Sequence, residues 1–101
     1  MRAWLMDLLI HVSSVHSARI LAGLAGACAR AGRGFACFFT LDGVRMLDDP
    51  AVRAAVAGAL RAVACGESWH RFCGTRPCPV ELGSQTDNSA LMGHAARTVS
   101  L

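Results

Sequence analysis

The chain contains no lysine and no tyrosine, and it has only three prolines among 101 residues. Without lysine, all ten basic residues are arginines, scattered from Arg2 to Arg97. The longest basic stretch, Arg30-Ala-Gly-Arg33, falls where a helix should end and can complement its dipole. No basic stripe interleaved with aromatics exists, so no direct contact with nucleic acid is expected. No run approaches the roughly 18 apolar residues that a membrane span requires, so no membrane partner is expected either. Asp7 interrupts the apolar start Met1-Arg-Ala-Trp-Leu-Met, and no small-residue cleavage site follows. The chain therefore reads as cytoplasmic.

Charge is also sparse. Only 17% of residues are charged while 53% are hydrophobic, and the net charge is +3. A chain of this length forms one domain, residues 1–101, and buries roughly 60–70% of the surface it exposes when unfolded. So apolar a composition on so small a globule points to further burial in a homo-oligomer. The cysteine count is five, an odd number that excludes a complete set of internal disulfides. In a reducing compartment such thiols are buried, metal-bound or reactive.

Hydrophobic patterning places alternating strands and helices. The apolar run Asp7–Val12 reads as a buried strand, Ser13–Ser17 as a loop with Ser17 as N-cap, and Ala18–Ala31 as a helix stopped by Gly32. Phe35–Thr40 reads as a second strand buried on both faces, followed by an Asp42-Gly43 turn. Asp48, Asp49 and Pro50 start a helix whose stripe is Val52, Val56 and Leu60. Ala62–Cys65 is a third strand or that helix's tail. Glu67–Phe72 supplies one or two helical turns, Gly74–Pro79 a loop and Val80–Leu82 an extended piece. Gly83–Asn88 opens a helix running to Met92, and Thr98–Leu101 ends the chain as a strand. This order predicts an α/β fold: a small, mostly parallel sheet with helices on both faces and right-handed crossovers. Ligands bind beyond the carboxyl ends of such strands. Ser13-Ser14, Asp42-Gly43, Cys65-Gly66 and Gly83-Ser84 are thereby expected on one rim.

Among the thiols, Cys65 ends a strand and precedes a helix, a place that stabilises a thiolate. His70, Arg71 and Arg76 follow closely and could add positive potential. Cys28 and Cys37 fall within the helix stripe and the apolar strand, where a thiol is inert. Cys65, His70, Cys73 and Cys78 form C-x4-H-x2-C-x4-C, which lacks the short Cys-x2-Cys turn usual for zinc, so no metal is assigned. Cys73 or Cys78 could instead resolve a disulfide or persulfide on Cys65. The stretch from Gly83 to Ser89 could hold an anion at a helix N-terminus, or simply cap it. His11 and His16 read as structural. No Ser-His-Asp set or carboxylate pair stands out, and no cofactor is implied.

Four segments resemble the DsrE/DsrF-like family of sulfur-relay and sulfur-oxidation proteins. They are the first strand with its serine loop and Ala-rich helix, the run Phe38-Phe-Thr-Leu-Asp-Gly-Val-Arg-Met-Leu47, the run Val63-Ala-Cys-Gly-Glu-Ser-Trp69, and the close Gly83-Ser-Gln…Leu91 with Ala96-Arg-Thr-Val-Ser-Leu101. The resemblance implies a parallel α/β domain assembling into trimers or hexamers. It also implies a cysteine after the third strand, here Cys65, that takes sulfane sulfur from a protein donor and passes it to a protein acceptor. The segment Cys65–Gly83 is shorter than in the tRNA-thiolation members and carries Cys73 and Cys78, so either could be the acceptor. Arg71 and Ser84 would stabilise the anion. The alternatives are a non-catalytic oligomeric subunit of the same fold and a small metal-binding protein.

Overall fold

A computed structural model describes residues 5–101; the reading of Met1 to Trp4 lies outside the described residues. The fold is built on β1 (Met6–Val12), β2 (Phe35–Phe39), β3 (Arg61–Cys65), β4 (Glu81–Gly83) and β5 (Ala95–Ser100). All neighbouring pairs run parallel, in the order β4-β3-β2-β1-β5. The helices are α1 (Ala18–Ala31), α2 (Pro50–Val56), α3 (Gly66–Cys73) and α4 (Gln85–His94). The α/β fold with a parallel sheet is as the patterning predicts.

Handedness explains which face each helix covers. From β1 to β4 the chain steps along the sheet in one direction, and right-handed crossovers then put α1, α2 and α3 on the same face. Their side chains Leu21, Ala25, Val52, Val56, Trp69 and Cys73 pack with Ile10, Val12, Phe35, Cys37 and Phe39. The step from β4 to β5 reverses direction, so α4 lands on the opposite face. There Leu91 packs against Leu9, Ala36, Phe38, Val63 and Cys65. β2 is covered from both sides and every one of its residues is buried, which is why it is apolar without alternation.

Local chemistry fixes the boundaries. Asp49 accepts from the Ala51 N–H and Pro50 takes the first position of α2. That helix ends at Val56, short of the expected stripe, and Leu60 is 63% exposed. β3 begins at Arg61, so Ala62–Cys65 is strand rather than helix tail. α4 continues to His94 and β5 begins at Ala95, three residues before the expected Thr98. Ser17 sits before α1, yet its hydroxyl donates to the Ser14 carbonyl instead of capping the helix. Asp42-Gly43, expected as a turn, lies within a longer run of 3-10 turns, Leu41–Asp48, that buries Val44, Met46 and Leu47.

Three charged groups tie the β3–β4 edge to α4. Arg61 meets Glu81 through both carboxylate oxygens and reaches Asp87 at 3.2 Å. Asp87 also accepts from the Ser84 backbone N–H, completing a capping box at the start of α4. Hydrogen bonding to Arg61 holds the Glu81 carboxyl below its ordinary value. The Asp87 carboxyl is lowered first by the Ser84 N–H and then by Arg61. These carboxylates lose that contribution as pH falls through their folded values, so acid is expected to loosen α4 before the sheet. Hydrogen exchange across an acid titration would read this; simultaneous loss of protection in α4 and β2 would contradict it.

Candidate functional site: a thiol between two helix N-termini

Cys65 is the last residue of β3 and the N-cap of α3. Gly83 is its register partner on β4, and α4 starts two residues later, beyond the Ser84 cap. The N-termini of α3 and α4 therefore converge at the same corner of the rim. Between them lies a pocket of about 270 Å³, lined by Cys65, Glu67, Gly83, Ser84, Gln85 and Thr86. Among the described residues no cationic side chain lines it. The positive potential comes from backbone N–H groups at the two helix ends.

A layer of neutral donors supports the sulfur. The Ser68 hydroxyl, buried in the first turn of α3, accepts from the Leu41 N–H at 2.8 Å and lies 3.3 Å from the Thr40 hydroxyl. The Gln85 side-chain amide reaches the Thr40 oxygen at 3.4 Å. Burial pushes the Cys65 thiol up. The Ser68 hydroxyl, the Ser68 and Glu67 N–H groups and the Thr40 hydroxyl act in the opposite direction and outweigh it. The thiol ends below its ordinary value. Although Cys65 is only 7% exposed, it forms part of the pocket wall.

The other thiols have no such support. Burial raises Cys37 to about 12. Burial, then the Asp7 charge, raises Cys28. Cys78 is raised mainly by burial, with the Val80 N–H opposing. Cys73 is buried at the far end of α3. The eight residues of that helix rise about 12 Å, too far for a disulfide with Cys65. The faces differ as well: Cys73 and Cys78 belong to the packing of α1, α2 and α3, whereas Cys65 belongs to the α4 side. The loop bearing Cys78 is held there by the Trp69 indole donating to the Arg76 carbonyl, and by the Arg76–Asp48 ion pair. The expectation that Cys73 resolves a disulfide or persulfide on Cys65 is thus corrected, and Cys78 packs in the other core cluster from Cys65. The eight-residue helix α3 separates Cys65 from Cys73. His70 is exposed, and among the described residues no group of three or more His, Cys, Asp or Glu is placed to hold a metal.

The remaining expected rim residues divide similarly. Gly83 and Ser84 line the pocket. Ser13 does not; its N–H and hydroxyl both donate to the Leu101 carbonyl just beyond β5. Ser14 accepts from the His16 N–H. Asp42 is half-buried in the 3-10 run and does not line the pocket. Gly43 is buried against the Val12 carbonyl and does not line the pocket. Arg71 is exposed with its guanidinium over the Phe72 ring, so it does not face the thiol. Gln85 and Thr86 fall in the Gly83–Ser89 stretch read as a possible anion site, whereas Thr40, Ser68 and Glu67 were missed as site residues. Ser68 three positions after Cys65 could have been found from helical spacing alone, which turns it back toward the helix start.

Iodoacetamide at neutral pH is expected to label Cys65 first and Cys78 more slowly, leaving Cys28, Cys37 and Cys73 unlabelled until the chain unfolds. Peptide mass spectrometry gives the order, and labelling of Cys37 ahead of Cys65 would contradict the site. The chain matches no family model, and no curated protein matches it.

Proposed function

We propose that the protein carries sulfane sulfur as a persulfide on Cys65 and hands it to a protein partner. The observation that supports this most directly is the Cys65 thiol itself, lowered in pKa by four neutral donors and opening onto a pocket. In the loading step the Cys65 thiolate attacks the outer sulfur of a donor persulfide. An Sγ–S bond forms, the donor's S–S bond breaks, and the electron pair leaves on the donor thiolate. The outer sulfur keeps its proton until solvent takes it. No cofactor is required, because one S–S bond replaces another with no net oxidation or reduction. The DsrE/DsrF-like pattern around Val63–Trp69 supports the same reading. A cytoplasmic, homo-oligomeric protein with separate donor and acceptor proteins belongs to this proposal.

Incubation with polysulfide, followed by mass spectrometry, tests it. Parent protein, Cys73→Ser and Cys78→Ser are expected to gain the mass of one sulfur atom, whereas Cys65→Ser gains none. Absence of the adduct from every form would overturn the proposal and leave the chain as an interaction subunit.

A further inference from the structure

Negative charge borders the pocket at Cys65. Glu67 stands in its wall, two residues after the thiol and in the first turn of α3. Among the described residues no ion pair neutralises its carboxylate. Arg71 lies one turn further along α3, at a spacing that suits a glutamate partner, but its guanidinium sits over the Phe72 ring. A second carboxylate lies just behind the wall at Gly83, where a Cβ would stand 2.6 Å from the Asp87 Oδ2. Arg61 pairs with Asp87 and also with Glu81, so these three groups together keep one negative charge.

The donors at the helix ends do not offset this for a ligand. In the first turn of α4 the Ser84 N–H donates to Asp87 at 2.8 Å and the Thr86 N–H to the Ser84 hydroxyl at 3.2 Å. The Asp87 and Asn88 N–H groups donate to the Ser84 carbonyl at 3.0 and 3.2 Å. The stretch Gly83–Ser89 therefore caps its own helix. At α3 the Glu67 and Ser68 N–H groups serve the Cys65 sulfur itself.

From this arrangement we infer that Glu67 is a specificity residue, and that the partner protein presents its sulfur on a cysteine set in a basic segment. This rests on the sulfur-transfer reading of Cys65. A cation beside the reacting sulfur is attracted by Glu67 and by the net charge of the Arg61 cluster, and an anion is repelled by both. The whole chain carries +3, so the preference is local and opposes the long-range field of the protein.

The test uses mixed disulfides of 2-thiopyridine bearing a 2-aminoethyl, a 2-hydroxyethyl or a 2-carboxyethyl group. Cys78→Ser protein is used throughout, so that the half-buried Cys78 thiol adds nothing. The Cys65 thiolate attacks the sulfur carrying the substituent, an Sγ–S bond forms, and the bond to the pyridyl sulfur breaks. The electron pair departs with pyridine-2-thiolate, whose absorbance gives the rate. Each rate is divided by that of N-acetylcysteinamide, a thiol with no neighbouring charge. On this scale, at low salt, aminoethyl is expected to react roughly tenfold faster than carboxyethyl, with hydroxyethyl between them. The ratio falls toward one at about 1 M salt, where the screening length is about 3 Å. Glu67→Asp is expected to keep the ratio, and Glu67→Gln to bring it within about twofold of one. A further arm places the activated disulfide on a peptide cysteine flanked by arginines or by aspartates. The arginine peptide is expected to lead by a wider margin than aminoethyl does, and a preference confined to the small probes would overturn the basic partner segment. Equal aminoethyl and carboxyethyl rates, or a ratio that Glu67→Gln leaves intact, would remove Glu67 from its role while leaving Cys65 reactive. No reaction at Cys65 with any disulfide would instead overturn the sulfur-transfer reading on which the inference rests.

Discussion

Ser68→Ala is expected to slow alkylation of Cys65 about tenfold at neutral pH, the largest loss of reactivity from any residue other than the cysteine. A hydrogen bond to a charged group is worth about 1.5–3 kcal/mol, and about 1.4 kcal/mol is a factor of ten. Burial opposes ionisation of Cys65, and the Ser68 hydroxyl is the strongest single group working against it. Removing that hydroxyl takes away the largest lowering influence, so the thiol titrates higher and less thiolate is present at neutral pH. The effect has a diagnostic pH dependence. At alkaline pH, above the thiol pKa of both proteins, the two rates converge. A structural disturbance would instead leave the variant slow at every pH, and that outcome would remove Ser68 from the role given to it.

The same residue links reactivity to stability. A thiol whose folded pKa lies below its ordinary 9.0 adds stability that is complete above that value and is lost as pH falls through the folded pKa. The stability difference between parent and Ser68→Ala should therefore widen toward alkaline pH. Beneath it lies a pH-independent loss of about 1 kcal/mol, because the Leu41 N–H loses its acceptor. Urea titrations at neutral and alkaline pH would separate the two contributions.

Gly43→Ala should have the largest effect on stability, a loss of about 2–3 kcal/mol. A Cβ at Gly43 would stand 2.7 Å from the Val12 carbonyl oxygen, 3.1 Å from its carbon and 3.2 Å from the Ser13 carbonyl carbon. All three are backbone atoms. The Val12 oxygen is also fixed by the Thr40 N–H at 2.8 Å, which joins the ends of β1 and β2. Relief of the clash therefore requires one strand end to move, and every residue of β2 is buried. A drop in melting temperature of roughly 10–20 °C follows for a domain of this size. Gly58→Ala is the control, since a Cβ there meets nothing within 4 Å. If Gly43→Ala melts like the parent, the packing role is wrong and the earlier placement of Gly43 on a ligand rim regains its force.

These two positions show how far the sequence reaches. The elements were legible because their signals are local: the apolar run of β2, the Asp49-Pro50 start of α2 and the Ser84–Asp87 box all lie within a few residues. So was the place of Cys65 at the end of a strand and the head of a helix. Gly43 was misread because a turn glycine and a close-contact glycine look the same until the Val12 carbonyl is brought beside it.

The sequence alone determined an α/β chain of alternating strands and helices with one thiol at a strand-to-helix junction. Only the tertiary structure decided the strand order and the faces, because parallel neighbours must be joined by crossovers and their pairing is never local. It also decided the site. Thr40 and Ser68 are 28 positions apart and Thr40 and Gln85 are 45 apart, yet the ends of β2, α3 and α4 bring all three around one sulfur. Conversely, Cys73 is only a helix away from Cys65 in sequence, and the rigid rise of that helix is what keeps the two apart.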